Sequence, residues 1–151
     1  MAGPAATSAP VQTSRRRPPP TGDEEATARL KLGNMTNEQA LSPAEVTLML
    51  ERIEEHDVRR NTTEIYYKTK EYCRAFSRFK DSNAITQVNQ ISSSLTHRGL
   101  GIVEFERAQL ATLCCDAAEE ARTLIPSLEG KISDDDLQSV LDEISKLRDF
   151  S

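Results

Sequence analysis

From Ser42 to the C-terminus the apolar residues recur every three to four positions; before Ser42 they do not. Ser42, Pro43 and Glu45 read as the capped start of a helix, with Val46, Met49, Leu50 and Ile53 along one face and an end near His56. A polar link, Asp57 to Asn61, follows. A second helix is predicted from about Thr62 to Phe79, with Ile65, Thr69, Tyr72, Cys73, Phe76 and Phe79 as its apolar stripe. The third starts after Asp81 or Ser82 and carries Ala84, Ile85, Val88, Ile91 and Leu95. It ends before the glycine turn Gly99-Leu100-Gly101. The fourth spans about Val103 to Cys114, with Phe105, Ala108, Ala111 and Leu113 expected to be buried.

The fifth helix opens at Asp116 with Glu119 in the capping position, turns Ala118, Ala121 and Leu124 inward, and stops at Pro126. Ser133 caps the sixth. Asp134, Asp135 and Asp136 fill its first turn, where negative charge meets the positive end of the helix dipole. Leu137, Val140, Leu141, Ile144 and Leu147 form its stripe. The segment ahead of these helices behaves differently. Leu30 and Leu32 alternate with Arg29 and Lys31, the period of an extended strand with one covered face. A lone strand is unstable, so this one is expected to pair, and another chain is a candidate. Three regions result: a disordered tail over 1–27, an extended partner-binding segment over 28–40, and a helical domain over 41–151. The fold class is all-α, a bundle of about six helices.

Composition narrows the function. Hydrophobic residues make up 37% of 151, enough for one modest core, and aromatics only 5%, so Leu, Ile, Val and Ala must build it. The tail, rich in Ala, Pro, Ser and Thr, cannot bury a core. Its Arg15-Arg16-Arg17 run reads as solvated in preference to a nuclear address. The net charge of −5 argues against a stand-alone nucleic-acid binder, whose affinity comes from Lys and Arg displacing counterions. A helix-turn-helix over 103–124 meets the same objection, because its second helix carries Asp116, Glu119 and Glu120 against a single Arg122. Phe76-Ser77-Arg78-Phe79-Lys80 sets aromatics beside cations, as base-stacking surfaces do, but the helical spacing favours core packing.

No catalytic set is legible: there is no P-loop, no G-x-S-x-G and no H-E-x-x-H. Cys73, Cys114 and Cys115 are too few, with the distant His56 and His97, to form a zinc site, and they lie in apolar or acidic surroundings that disfavour thiolate. No cofactor, metal or membrane span is expected.

Specific wording adds to this. The run from Phe105-Glu106-Arg107-Ala108-Gln109-Leu110 leads through Ala118-Glu119-Glu120-Ala121-Arg122 to Ile125-Pro126-Ser127-Leu128-Glu129-Gly130. It continues as Asp135-Asp136-Leu137 and Leu141-Asp142-Glu143-Ile144. With Leu30-Lys31-Leu32-Gly33 and Ala75-Phe76-Ser77-Arg78-Phe79-Lys80, in the same order, it resembles the family of the fourth-largest subunit of eukaryotic RNA polymerase II, fungal members in particular.

The resemblance covers about Ala28 to Phe150 and leaves the first 27 residues out. It implies a fold similar to the helicase-and-RNase-D C-terminal (HRDC) domain. It also implies a heterodimer with the seventh-largest subunit, which carries an oligonucleotide-binding barrel and most of the RNA contact. The pair would form a stalk on the polymerase core near the RNA exit, supporting initiation and transcript handling. The location implied is the nucleus, with the cytoplasm as a second one. Paralogous stalk subunits of other nuclear polymerases, or an independent helical nucleic-acid module, are the alternatives. The residues expected to face the partner are Leu30, Leu32, Val46, Met49 and Leu50.

Overall fold

The computed structural model describes residues 25–36, 38–56 and 63–148. The expected disordered tail, up to residue 24, and the link from Asp57 to Asn61 lie outside them. Two short strands, β1 (Glu25–Ala26) and β2 (Leu30–Lys31), precede six helices. These are α1 (Pro43–His56), α2 (Glu64–Phe76), α3 (Ser82–His97), α4 (Glu104–Leu113), α5 (Ala118–Leu124) and α6 (Asp134–Arg148). The architecture is the all-α bundle that the hydrophobic period predicts.

The core is where α3, α4, α5 and α6 meet. α3 packs on both α4 and α6, and α5 packs on α6. Leu95, Leu110, Leu128, Leu137, Leu141 and Ile144 are completely buried there. Each such side chain contributes roughly 1.5–3 kcal/mol on leaving water. The stripes of α3 and α6 point inward as their spacing requires. Caps hold the helix starts. The Glu45 carboxylate accepts the Ser42 N–H at 2.7 Å while Ser42 Oγ accepts the Glu45 N–H, the reciprocal pair read from the sequence. Ser133 Oγ likewise accepts the Asp136 N–H ahead of α6.

Three expectations change. First, Leu30–Lys31 pairs as expected, but within the chain: it lies antiparallel to Glu25–Ala26, so the end of the presumed tail is structured. Second, α2 stops at Phe76, three residues early, where Ser77 turns to extended backbone and its N–H closes the helix on the Cys73 carbonyl. The break lets Phe79 enter the core from the connecting segment, 2% exposed. The end of α4 falls where expected, at Leu113 with Cys114 as its cap, and there Cys114 adopts a left-handed conformation with φ 51°. That turn buries both Cys114 and Cys115. Third, α5 begins at Ala118, two residues late.

Asp116 and Glu119 do not form a box at that start; the Glu120 carboxylate accepts the Asp116 N–H, and Gln138 of α6 accepts the Ala118 N–H. Leu124 faces solvent, and the next residue, Ile125, takes its place in the core.

Candidate partner-binding face

The N-terminal arm and α1 carry all five residues expected to face a partner. Leu30 and Leu32 are half-buried, lining with Val103, Ser127 and Lys131 a groove of about 280 Å³ against the bundle. On α1, Val46 and Leu50 are half-buried, and Met49 is 53% exposed. The structure therefore leaves all five at least partly open. It also turns the two arm leucines partly toward the chain's own body.

The arm is fixed by a residue that the sequence reading passed over. Arg107 of α4 is 1% exposed. Its guanidinium donates to the Ala40 carbonyl, to Asn89 Oδ1 at 2.9 Å and to Glu104 Oε2 at 2.9 Å, and it lies 3.5 Å from Glu45 Oε1. One side chain thus ties the end of the arm and the start of α1 to α3 and α4. Its neighbour Glu106, fully buried, faces the other way. Its carboxylate accepts the Val103 N–H, the Ser127 hydroxyl and the Lys131 ammonium. A signal was present: Arg107 stands three and four residues before the buried Leu110 and Ala111, and Glu106 four before Leu110. A charge on an apolar face asks for a buried partner.

The second helix contradicts the core expectation. Of its predicted stripe only Cys73 is buried on the helix itself; Ile65 is 77%, Tyr72 57% and Phe76 61% exposed. The reason is that α2 packs chiefly on α1. Polar pairs hold the two together. Lys70 and the Tyr66 hydroxyl donate to Glu54, and Arg74 pairs with Glu51 at 3.1 Å. Those two hydrogen bonds, Lys70 first, hold the Glu54 carboxyl below the usual carboxylate range. The Tyr72 and Phe76 rings lie 4.5 Å apart between centroids and tilted at 33°, in solvent rather than in the core.

The cysteines are not reactive centres. Burial pushes the Cys114 thiol up to about 11 and raises Cys73 and Cys115 as well. A raised thiol keeps its proton where the unfolded chain loses it. Stability is therefore full below the ordinary value of 9.0 and falls as pH rises from there toward about 11. Iodoacetamide at pH 8 is expected to label the native chain at least about tenfold more slowly than the urea-unfolded chain, followed by mass spectrometry. Equal rates would show that burial does not protect these thiols. Among the described residues no His, Cys, Asp and Glu cluster could hold a metal, and no helix is long and apolar enough to cross a membrane.

The class that emerges is a small all-α bundle whose apolar surface is left open mainly on one helix pair. Residues 28–148 match the family model for RNA polymerase Rpb4. The chain is 43% identical over 133 residues to DNA-directed RNA polymerase II subunit rpb4 of Schizosaccharomyces pombe, covering 84% of this chain and 94% of that one. It is 32% identical over 138 residues to DNA-directed RNA polymerase II subunit 4 of Arabidopsis thaliana, covering 85% and 96%. With RPB4 of Saccharomyces cerevisiae it shares 48% identity over 79 residues, 52% of this chain and 34% of that one. The chain belongs to the RNA polymerase Rpb4 family.

Proposed function

We propose that this chain is the Rpb4-type accessory subunit of RNA polymerase II, that it has no active site of its own, and that it works by binding. Its partner in this reading is the seventh-largest subunit. Together they form a stalk near the RNA exit that supports initiation and handling of the emerging transcript, in the nucleus, with the RNA contact made mainly through the partner. The observation that carries the reading is the family match across residues 28–148, which includes the arm and α1 as well as the bundle. The open apolar residues on those elements agree with it, since an obligate heterodimer needs apolar area to cover.

The test is co-purification of the tagged chain from its native cells, with mass spectrometry of what accompanies it. Recovery of the barrel-containing subunit with the polymerase II core is expected. Recovery of another polymerase would move the chain to a paralogous stalk. Recovery of neither, with salt-sensitive binding to single strands, would favour a nucleic-acid module. Leu30, Leu32, Val46, Met49 and Leu50 are the proposed contacts. Alanine at both Leu30 and Leu32 is expected to weaken the heterodimer at least about tenfold, as two truncated interface leucines should. Unchanged affinity by titration calorimetry would remove the arm from the interface.

A further inference from the structure

Aromatic and cationic residues are spread unevenly along this chain, and they concentrate in the same place. Five of the seven Tyr and Phe residues fall between Tyr66 and Phe79. Residues 64–80 also hold five Lys and Arg against Glu64 and Glu71, a net charge of +3. The whole chain carries −5, so its other 134 residues carry −8. Helical spacing favours core packing for this stretch over base stacking. Yet Tyr72 is 57% and Phe76 61% exposed, and only Phe79 enters the core.

Ile65, Tyr72 and Phe76 recur at i, i+7 and i+11, so they fall within about 40° of one another on α2, along a strip about 16 Å long. The acids of the α1–α2 pair are engaged away from that strip. Lys70 and Tyr66 take up Glu54, and Arg74 takes up Glu51. Lys70 and Arg74 sit about 140–180° round the helix from Ile65, and Glu64 and Glu71 about 100–120° round. Lys68 stands nearer, about 60° from the middle of the strip. It pairs with Glu64 at 2.6 Å, but both side chains are exposed, and such a pair is worth little and easily exchanged. Past the helix end, Arg78 and Lys80 are exposed and have no ion-pair partner among the described residues. The neighbouring Asp81 carboxylate is occupied by the N–H groups of Asn83 and Ala84.

We propose that this strip binds single-stranded nucleic acid. Bases stack on the Tyr72–Phe76 pair, and the phosphates on either side meet Lys68, Arg78 and Lys80. The strand is the emerging transcript; that choice rests on the function proposed above, whereas the stacking and phosphate chemistry is shared with DNA. Two arguments favour a nucleic acid over a protein. Phosphates complement a local charge opposite in sign to that of the rest of the chain. The core of a protein interface is depleted of Lys, whereas here cations flank exposed rings, the combination that single-strand platforms use. The acidic remainder of the chain repels phosphates and confines the strand to this strip. The site therefore adds to a nucleic-acid contact made elsewhere in the complex and binds only modestly by itself.

The test titrates the full chain with a fluorescein-labelled single-stranded RNA of about 12 nucleotides. Affinity is read by anisotropy at several salt concentrations, and folding by circular dichroism. Wild type is compared with Tyr72→Ser plus Phe76→Ser, with Arg78→Gln plus Lys80→Gln, and with Leu124→Ser, an exposed leucine on α5. The aromatic pair of substitutions is expected to weaken binding at least about tenfold without changing its salt dependence. The cation pair should weaken it too, and should lower the slope of log K against log salt by about 1.4. Leu124→Ser should alter neither. Ultraviolet cross-links, mapped by mass spectrometry, are expected within residues 64–80. DNA of the same sequence should bind within about threefold, because stacking does not read the 2′-hydroxyl.

No binding by wild type, cross-links confined to other residues such as Arg15-Arg16-Arg17, or undiminished affinity in the aromatic variant would each overturn the inference. DNA bound at least about tenfold more tightly would overturn the transcript as the strand. Loss of the heterodimer with the seventh-largest subunit in the aromatic variant, with RNA affinity unchanged, would assign the strip to a protein and overturn it as well. If the aromatic variant unfolds, the cation variant decides: unchanged affinity and salt slope there would overturn the inference. The function proposed above is judged separately, by what co-purifies with the chain.

Discussion

Replacing Arg107 by methionine is expected to destabilise the folded chain by about 3–5 kcal/mol, the usual cost of removing one partner from a buried charge network. Methionine refills much of the volume but donates nothing. Glu45, with its side chain 10% exposed, then faces a neutral neighbour, the Ala40 carbonyl loses its Arg107 donor, and the Asn89 amide oxygen keeps only the Ser93 hydroxyl. For a domain of this size the melting temperature should drop on the order of 10–20 °C. Arg107→Lys keeps the charge but not the planar fork, so it should fall between the two. The effect should be uneven. Amide exchange should quicken in residues 38–48, where the arm joins α1, more than in α6, whose own stripe packs the core. A melting temperature within about 2 °C of wild type would show that the network adds nothing net, as some buried ion pairs do not.

The sequence was legible wherever one periodicity had one meaning. The α3 and α6 stripes could only be core, because each is covered on the same side by neighbours that the chain itself supplies. The stripe of α2 is just as regular, yet it is not core. Amphipathic spacing says that a face avoids water and is silent about whose surface covers it. Ile65, Tyr72 and Phe76 carry the pattern of a core and stand in solvent.

Caps made within four residues, as at Ser42 and Ser133, were readable. The cap of α5 was not, because Gln138 reaches it from twenty positions away. The strand at Leu30 was seen but its partner was not. Two residues, Glu25 and Ala26, give no alternating pattern to recognise. The five proposed contacts are apolar residues of the arm and α1, and the structure leaves each of them partly open. What the spacing could not show is that Arg107 sets where those residues stand.

Glu106 should be the second most sensitive position, for a different reason. It joins α4 to the segment between α5 and α6 rather than to the arm. Its two carboxylate oxygens accept from the Val103 N–H at 2.9 Å, from Ser127 Oγ at 2.5 Å and from Lys131 Nζ at 2.7 and 2.8 Å. Leucine in its place removes every acceptor at once. The Ser127 hydroxyl, in a residue only 4% exposed, is stranded, whereas Lys131, with its side chain 27% exposed, can turn its ammonium into water. The expected loss is therefore smaller than at Arg107, about 2–4 kcal/mol. Glu106→Gln should fall lower on the same scale, since the amide oxygen still accepts from Val103 or Ser127, while the charge and the second acceptor are given up. Combining Glu106→Gln with Lys131→Met separates the terms. If the ion pair matters, the double variant should be more stable than the sum of the single losses by about 1–3 kcal/mol. Strict additivity in urea unfolding would mean that Glu106 acts only as an acceptor for Val103 and Ser127. Lys131 would then be a bystander whose short contact adds no stability.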